Sequence, residues 1–218
     1  MTTFYGEQHR KLQDQFDSRD IADVLAAVIV KPEIDDEAKA FIESRMSFFL
    51  STVNEDGQPT VSHKGGAAGF VQVIDPTTIV FPSYDGNGMF LSMGNIAADG
   101  RIGLLFMDFE RPHRIRAHAN AVINSDDLLM SHYPGADLIV RATVTDVFVN
   151  CPRYIPPHTP GAPSKYVPDA NGNAPLPGWK KIDALQPFLP TRFQGIAKTE
   201  NDVITIAEYG QRLLHGDA

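Results

Sequence analysis

Residues 48–95 read FFLSTVNEDGQPTVSHKGGAAGFVQVIDPTTIVFPSYDGNGMFLSMGN, and the punctuation of this stretch decides the fold. Short runs rich in Val, Ile, Thr and Phe are broken at Glu55-Asp56-Gly57, Gly65-Gly66 and Asp75-Pro76, residues that turn a chain rather than extend it. The spacing predicts strands over 48–53, 59–64, 69–74 and 78–81. The loop Asp85-Gly86-Asn87-Gly88 then leads into a helix over 89–98. Working outward, further β-rich runs predict strands over 101–107, 114–123 and 138–149. A second helix is expected over 125–131, with Ser125 as N-cap and Asp126 and Asp127 in its first turn. Seven short strands spaced by turns make the chain mainly β, a β-barrel with helical additions.

The flanks read differently. The apolar run 24–30 lies in a charged segment and is expected as a helix or arm. After Pro32, Asp35 is placed to cap a helix running to about Arg45, with Ile34 as its hydrophobic staple. Between 152 and 179 fall eight of the chain's 16 prolines. Proline lacks the backbone donor that ladders and helices need, so this is an irregular excursion. Its Tyr154, Tyr166 and Trp179 argue against a purely solvated linker. The tail after Thr199 allows a last helix. We read one domain over 1–218: a helical segment 1–46, a barrel core 47–150, the proline-rich excursion 152–179 and a C-terminal cover 180–218.

With 218 residues, the chain has material for one sizeable core. Its net charge of −8 argues against a general nucleic-acid surface. Cys151 is the only cysteine, so no intramolecular disulfide forms, which suits the cytoplasm. No stretch has the ~18 consecutive apolar residues of a membrane span.

Strand alternation places side chains that could carry chemistry. Over 59–64, Thr60, Ser62 and Lys64 share one face and Val61 and His63 the other. Two hydroxyls and an ammonium in a row suit a phosphate dianion, and Gly65 and Gly66 would let backbone amides approach it. On spacing alone, a polar strand facing solvent is the commoner arrangement. Over 114–121, Ile115, Ala117, Ala119 and Ala121 form an inward face, opposite Arg114, Arg116, His118 and Asn120. The seven histidines lack ligand spacing: His113 and His118 are an odd number apart, and no metal site is expected. No nucleophile motif is present, and Cys151 is expected as a packed small hydrophobe.

The order F-x-S-T-V-x-x-D-G-x-P-x-V-S-x-K-G-G, then G-F-V-x-V-x-D, then G-N-x-x-x-x-S-x-G-N-I, running from Phe49 to Ile96, resembles the pyridoxamine 5′-phosphate oxidase-related family. The likeness continues through Gly103-Leu104-Leu105-Phe106, Arg114-Ile115-Arg116 and Asn150-Cys151-Pro152-Arg153-Tyr154-Ile155. It implies the FMN-binding split-barrel fold, FMN as cofactor, and a homodimer with FMN at the interface. It also implies a flavin-dependent oxidoreductase acting on a small molecule. The cofactor residues it implies are Ser62, His63, Lys64, Tyr84, Asn87, Ser92, Asn95 and Arg116. Ala119 stands where the family pattern has glycine, and Gly88-Met89 where a basic residue is common. The family's oxidases end in R-x-x-R-L-H, which grips the vitamin phosphate. Here Arg192-Phe193-Gln194-Gly195-Ile196-Ala197-Lys198 echoes only part of that ending, so the vitamin substrate is not implied. Two further readings stay open: a flavin- or haem-binding carrier or sensor without turnover, and a barrel interaction module whose cofactor site has decayed. No catalytic residue is assigned.

Overall fold

The computed structural model describes residues 4–159 and 161–216. These fall into two compact units, divided between Pro163 and Ser164.

The first unit opens with α1 (Glu7–Gln15) and α2 (Arg19–Ile29). The two helices are joined by Arg10–Asp23 and Arg19–Asp14 ion pairs of 2.7 and 2.5 Å. Neither buries a residue, so their helicity rests on local contacts more than on a core. The expected arm is therefore a helical hairpin. α3 (Asp36–Glu43) starts where Asp35 accepts a hydrogen bond from the Ala38 amide at 2.9 Å, as its cap position demands. Ile34, just before it, is buried in the core.

Then come β1 (Ser47–Val53), β2 (Pro59–Gly65), β3 (Gln72–Asp75), β4 (Thr78–Tyr84), α4 (Leu91–Ala98), β5 (Arg101–Asp108), β6 (His113–Asn124) and β7 (Ala136–Val149). The strands form one antiparallel sheet in the order β2-β1-β5-β6-β7-β4-β3. Alternate residues of β1, β5 and β6 point inward: Phe48 and Leu50, Ile102 and Leu104, Ile115, Ala117, Ala119 and Ala121. They meet β3, β4, α3 and α4 in one hydrophobic core. Phe48 sits at its centre, with ring centroids 5.0, 5.2 and 5.9 Å from Phe81, Phe106 and Phe70. The chain is mainly β with helical additions, a split barrel in which β2 and β3 are the two sheet edges.

Three local expectations need correction. The strand expected over 69–74 begins only at Gln72, because Gly69 adopts a positive φ of 84° and Phe70 closes a turn onto Ala67. The helix expected over 125–131 reduces to a 3-10 turn, Met130–His132. Asp127 is buried and grips the Arg141 guanidinium at 2.5 and 2.8 Å, so it anchors the loop to β7 instead of decorating a helix. Cys151 is exposed, since the chain has already left the sheet after Val149. Arg153 Nε donates to its sulfur at 3.3 Å, and hydrogen bonds from Arg153 hold the thiol pKa below the usual range.

Gly66 also plays a part other than the expected one. Its amide donates to the Met46 carbonyl at 2.9 Å. A Cβ there would lie 2.4 Å from Phe70. Phe70 packing, not anion approach, requires this glycine.

The second unit holds 3-10 turns at Gly178–Lys181, Asp183–Phe188 and Thr191–Phe193, then α5 (Ile196–Thr199) and α6 (Ile206–His215). A parallel bridge joins Ile182 to Ile204. Lys180 is buried, its ammonium 3.4 Å from the Phe193 ring centroid. Thr205 and Glu208 close a reciprocal capping box on α6. Among the described residues no helix is long and apolar enough to cross a membrane.

Candidate functional site

A cleft of about 370 Å³ opens where the edge strand β2, the end of β4 and the start of α4 meet. Because β2 is an edge, residues of both its faces border the opening: Ser62 and Lys64 from the inner face, His63 from the outer.

Ser62 and Ser92 share a hydroxyl–hydroxyl hydrogen bond of 2.9 Å. Behind them Thr52, fully buried on β1, bonds Thr60 at 3.0 Å and accepts from the Asn95 amide at 3.0 Å. Ser92 and Asn95 are three residues apart, on one face of α4. Two polar ties therefore pin the helix to β1 and β2 and fix one wall of the cleft.

Lys64 is half-buried, and among the described residues its ammonium has neither an ion-pair partner nor a hydrogen-bond acceptor. Burial holds its pKa below the ordinary lysine value, and burial also pushes the Tyr84 hydroxyl up. Both shifts mark a partly dry cleft, where an anion would meet a cation that water screens weakly. The first turn of α4 borders the same space with no side chain capping it, so its amides add positive potential there.

The loop before α4 completes the wall. Asn87 Oδ1 accepts from the Met89 amide at 3.0 Å, an Asx turn that sets the chain direction. Phe90 adopts left-handed backbone, φ 49° and ψ 27°, unfavourable for a residue with a side chain. Met89, Phe90 and Leu91 stand exposed in succession beside the cleft.

Six of the eight residues expected at a cofactor line this cleft: Ser62, His63, Lys64, Tyr84, Asn87 and Ser92. Asn95 lies behind the wall, its amide committed to Thr52. Arg116 is elsewhere. The cross-strand row His63–Phe49–Leu105–Arg116 belongs to the outer face, and Arg116 lines a separate groove with Phe49, Val61 and His118. The expected phosphate set of Ser62, Lys64 and Arg116 is thus not assembled within one chain. Sequence reasoning missed Met89, Phe90 and Leu91 by placing 89–98 in a helix. The available signal was three large apolar residues in a row at the end of a polar loop. Among the described residues no group of three or more His, Cys, Asp or Glu gathers to hold a metal.

The family model for pyridoxamine 5′-phosphate oxidase matches residues 34–147, just over half of the chain. The chain belongs to the pyridoxamine 5′-phosphate oxidase family. The matched segment runs from the residue before the α3 cap into β7 and includes every residue that lines the cleft. No curated protein matches the chain. Solved structures similar to it include the following three. HupZ from Group A Streptococcus is 21% identical, over 53% of this chain and 93% of its own, with a TM-score of 0.44. An FMN-binding protein from Syntrophomonas wolfei is 10% identical, over 64% and 97%, with a TM-score of 0.39. HutZ, the haem storage protein from Vibrio cholerae, is 18% identical, over 53% and 94%, with a TM-score of 0.38. At these TM-scores no ligand is carried across, and family membership rests on the match over 34–147.

Proposed function

We propose that this family member is an FMN-binding flavoprotein, an oxidoreductase acting on a small molecule. The observation that carries the reading is Lys64: a half-buried ammonium without a partner among the described residues, beside a serine pair and an uncapped helix start. That donor set fits one phosphate group. FMN, when bound, supplies hydride and two-electron chemistry at its ring. The chain's own residues bind and orient. Lys64 and the Ser62–Ser92 pair hold the phosphate, and the Met89–Phe90–Leu91 ridge offers an apolar wall to a flat ring. A single ammonium suits FMN over FAD, and the chain has no G-x-G-x-x-G for a dinucleotide. The incomplete C-terminal echo excludes the vitamin phosphate from the proposal.

The reading has a pH signature. Phosphate binding favours the charged form of Lys64, whose pKa lies below the ordinary 10.5. Affinity for FMN should be highest between pH ~6 and that lowered pKa and fall as pH rises through it. On the acid side, affinity should rise through pH ~6 as the phosphate loses its second proton. Flavin fluorescence titrations across this range check it. A flat profile up to pH 10.5 would exclude Lys64 from the phosphate site.

We also propose a homodimer that completes the flavin site. Side chains of Glu43 and Lys39 from α3 satisfy the Val73 amide and carbonyl on the outer edge of β3, whereas β2 is the other edge strand of the sheet, and an edge calls for cover. Val61 on the outer face of β2 and Tyr154 in the proline-rich excursion are both strongly exposed. Light scattering should give about twice 23.9 kDa. A monomer that binds FMN at full strength would end this part of the proposal.

A further inference from the structure

A second cavity, of about 410 Å³, shares no residue with the flavin cleft. It arises because β7 outruns its neighbour. Pairing with β4 stops at Thr143, leaving the edge of β7 free beyond it. Lys31 takes that edge, its amide donating to Val147 at 2.9 Å and its carbonyl accepting from Val147 at 2.8 Å. The chain then crosses to α3, anchored by the Ile34 amide on the Pro76 carbonyl at 2.7 Å. The space enclosed between this crossing, α3 and the ends of β6 and β7 is the cavity.

Its walls are fixed. Phe41 of α3 packs edge-on against His113 with centroids 4.7 Å apart, and the Arg45 guanidinium lies 4.7 Å from the Phe41 centroid. Val147 and Ile115 are buried, and Ile29 and Ala38 complete an apolar lining, while the Phe148 ring packs on Phe4 and His118. A preformed apolar space of ~300–1,000 Å³ with a few polar groups at its rim is the usual shape of a small-molecule site.

The rim decides the charge of the occupant. Glu33, Asp35 and Glu37 line the cavity with Lys31 and His113, and the nearby Arg45 guanidinium is already paired with Asp108 at 2.7 Å. Asp35 spends an oxygen on the α3 cap. Among the described residues, neither Glu33 nor Glu37 has an ion-pair partner. An apolar space under unpaired carboxylates repels anions and suits a cation with an apolar body.

We propose that this cavity binds a small organic cation of the aryl-alkyl ammonium class, its ring among Phe41, Ile115 and Val147 and its ammonium at Glu33 and Glu37. The site is independent of flavin.

Three probes of matched size test it by NMR titration of the full chain: 2-phenylethylammonium, 2-phenylethanol and 3-phenylpropanoate. The ammonium should saturate at the lowest concentration, the alcohol at a higher one, the carboxylate last. The double variant Glu33→Gln, Glu37→Gln should weaken the ammonium about fivefold, the worth of two exposed charge pairs, and leave the alcohol unchanged. Ala38→Trp, which fills the cavity, should remove binding of all three. Val149→Trp, at a more exposed rim position, serves in its place if Ala38→Trp does not fold. Several outcomes would overturn the proposal: no saturable binding of the ammonium, a carboxylate as tight as the ammonium, an unaffected double variant, or full binding by a folded cavity-filling variant.

Discussion

Replacing Lys64 by alanine is expected to weaken FMN binding by about 30-fold or more and to leave riboflavin binding little changed. The ammonium is half-buried and has no protein partner among the described residues, so a bound phosphate would be its counter-charge. Removing one member of a desolvated charge pair typically costs about 2–5 kcal/mol, and 1.4 kcal/mol is about tenfold. Riboflavin lacks the phosphate and therefore does not draw on Lys64. The comparison separates a phosphate ligand from a structural lysine, because a cleft that merely collapsed would lose both flavins equally. Parallel fluorescence titrations of the two flavins read the difference directly.

Phe48→Ala is expected to be the most damaging single truncation in the barrel. Its ring is buried against Phe70, Phe81 and Phe106, from the loop before β3, from β4 and from β5. The cavity left behind has rigid aromatic walls that close poorly around it. Loss of a core phenylalanine costs about 3–5 kcal/mol. At roughly 2–4 °C per kcal/mol for a chain of this size, Tm should fall by about 10 °C. Thermal unfolding followed by circular dichroism measures this. A drop under 2 °C would mean that the sheet is not organised around this residue. Phe48 also pairs with Lys64 across β1 and β2, so the core and the flavin cleft share one register.

Much of this architecture was legible in the residues. Alternation alone put Ile115, Ala117, Ala119 and Ala121 inward, and the sheet places them there. Turn chemistry separated the seven strands, and Asp35 marked the start of α3. What was not legible depends on long-range partners. The strand expected over 78–81 continues through Pro82 to Tyr84. Its pairing with β3 goes no further than Val80, so the donor that Pro82 lacks falls past the end of β3. Ser125, Asp126 and Asp127 carried a local helix signal, but Arg141 on β7 holds the Asp127 carboxylate against the sheet. At the site, the hydroxyls and ammonium of β2 were readable from period two. The separation of Arg116 from them was not, because it depends on which strands lie between. Asn95 is expected at the cofactor, and only the structure shows that its amide nitrogen ties α4 to the buried Thr52.

The central claim is that the cleft between β2, β4 and α4 holds FMN. The most direct measurement is the absorbance spectrum of the freshly purified protein, followed by chromatography of the heat-released cofactor. The account predicts flavin bands and a released compound that co-migrates with FMN. A colourless protein that stays colourless after incubation with FMN, or one that releases FAD alone, would contradict it.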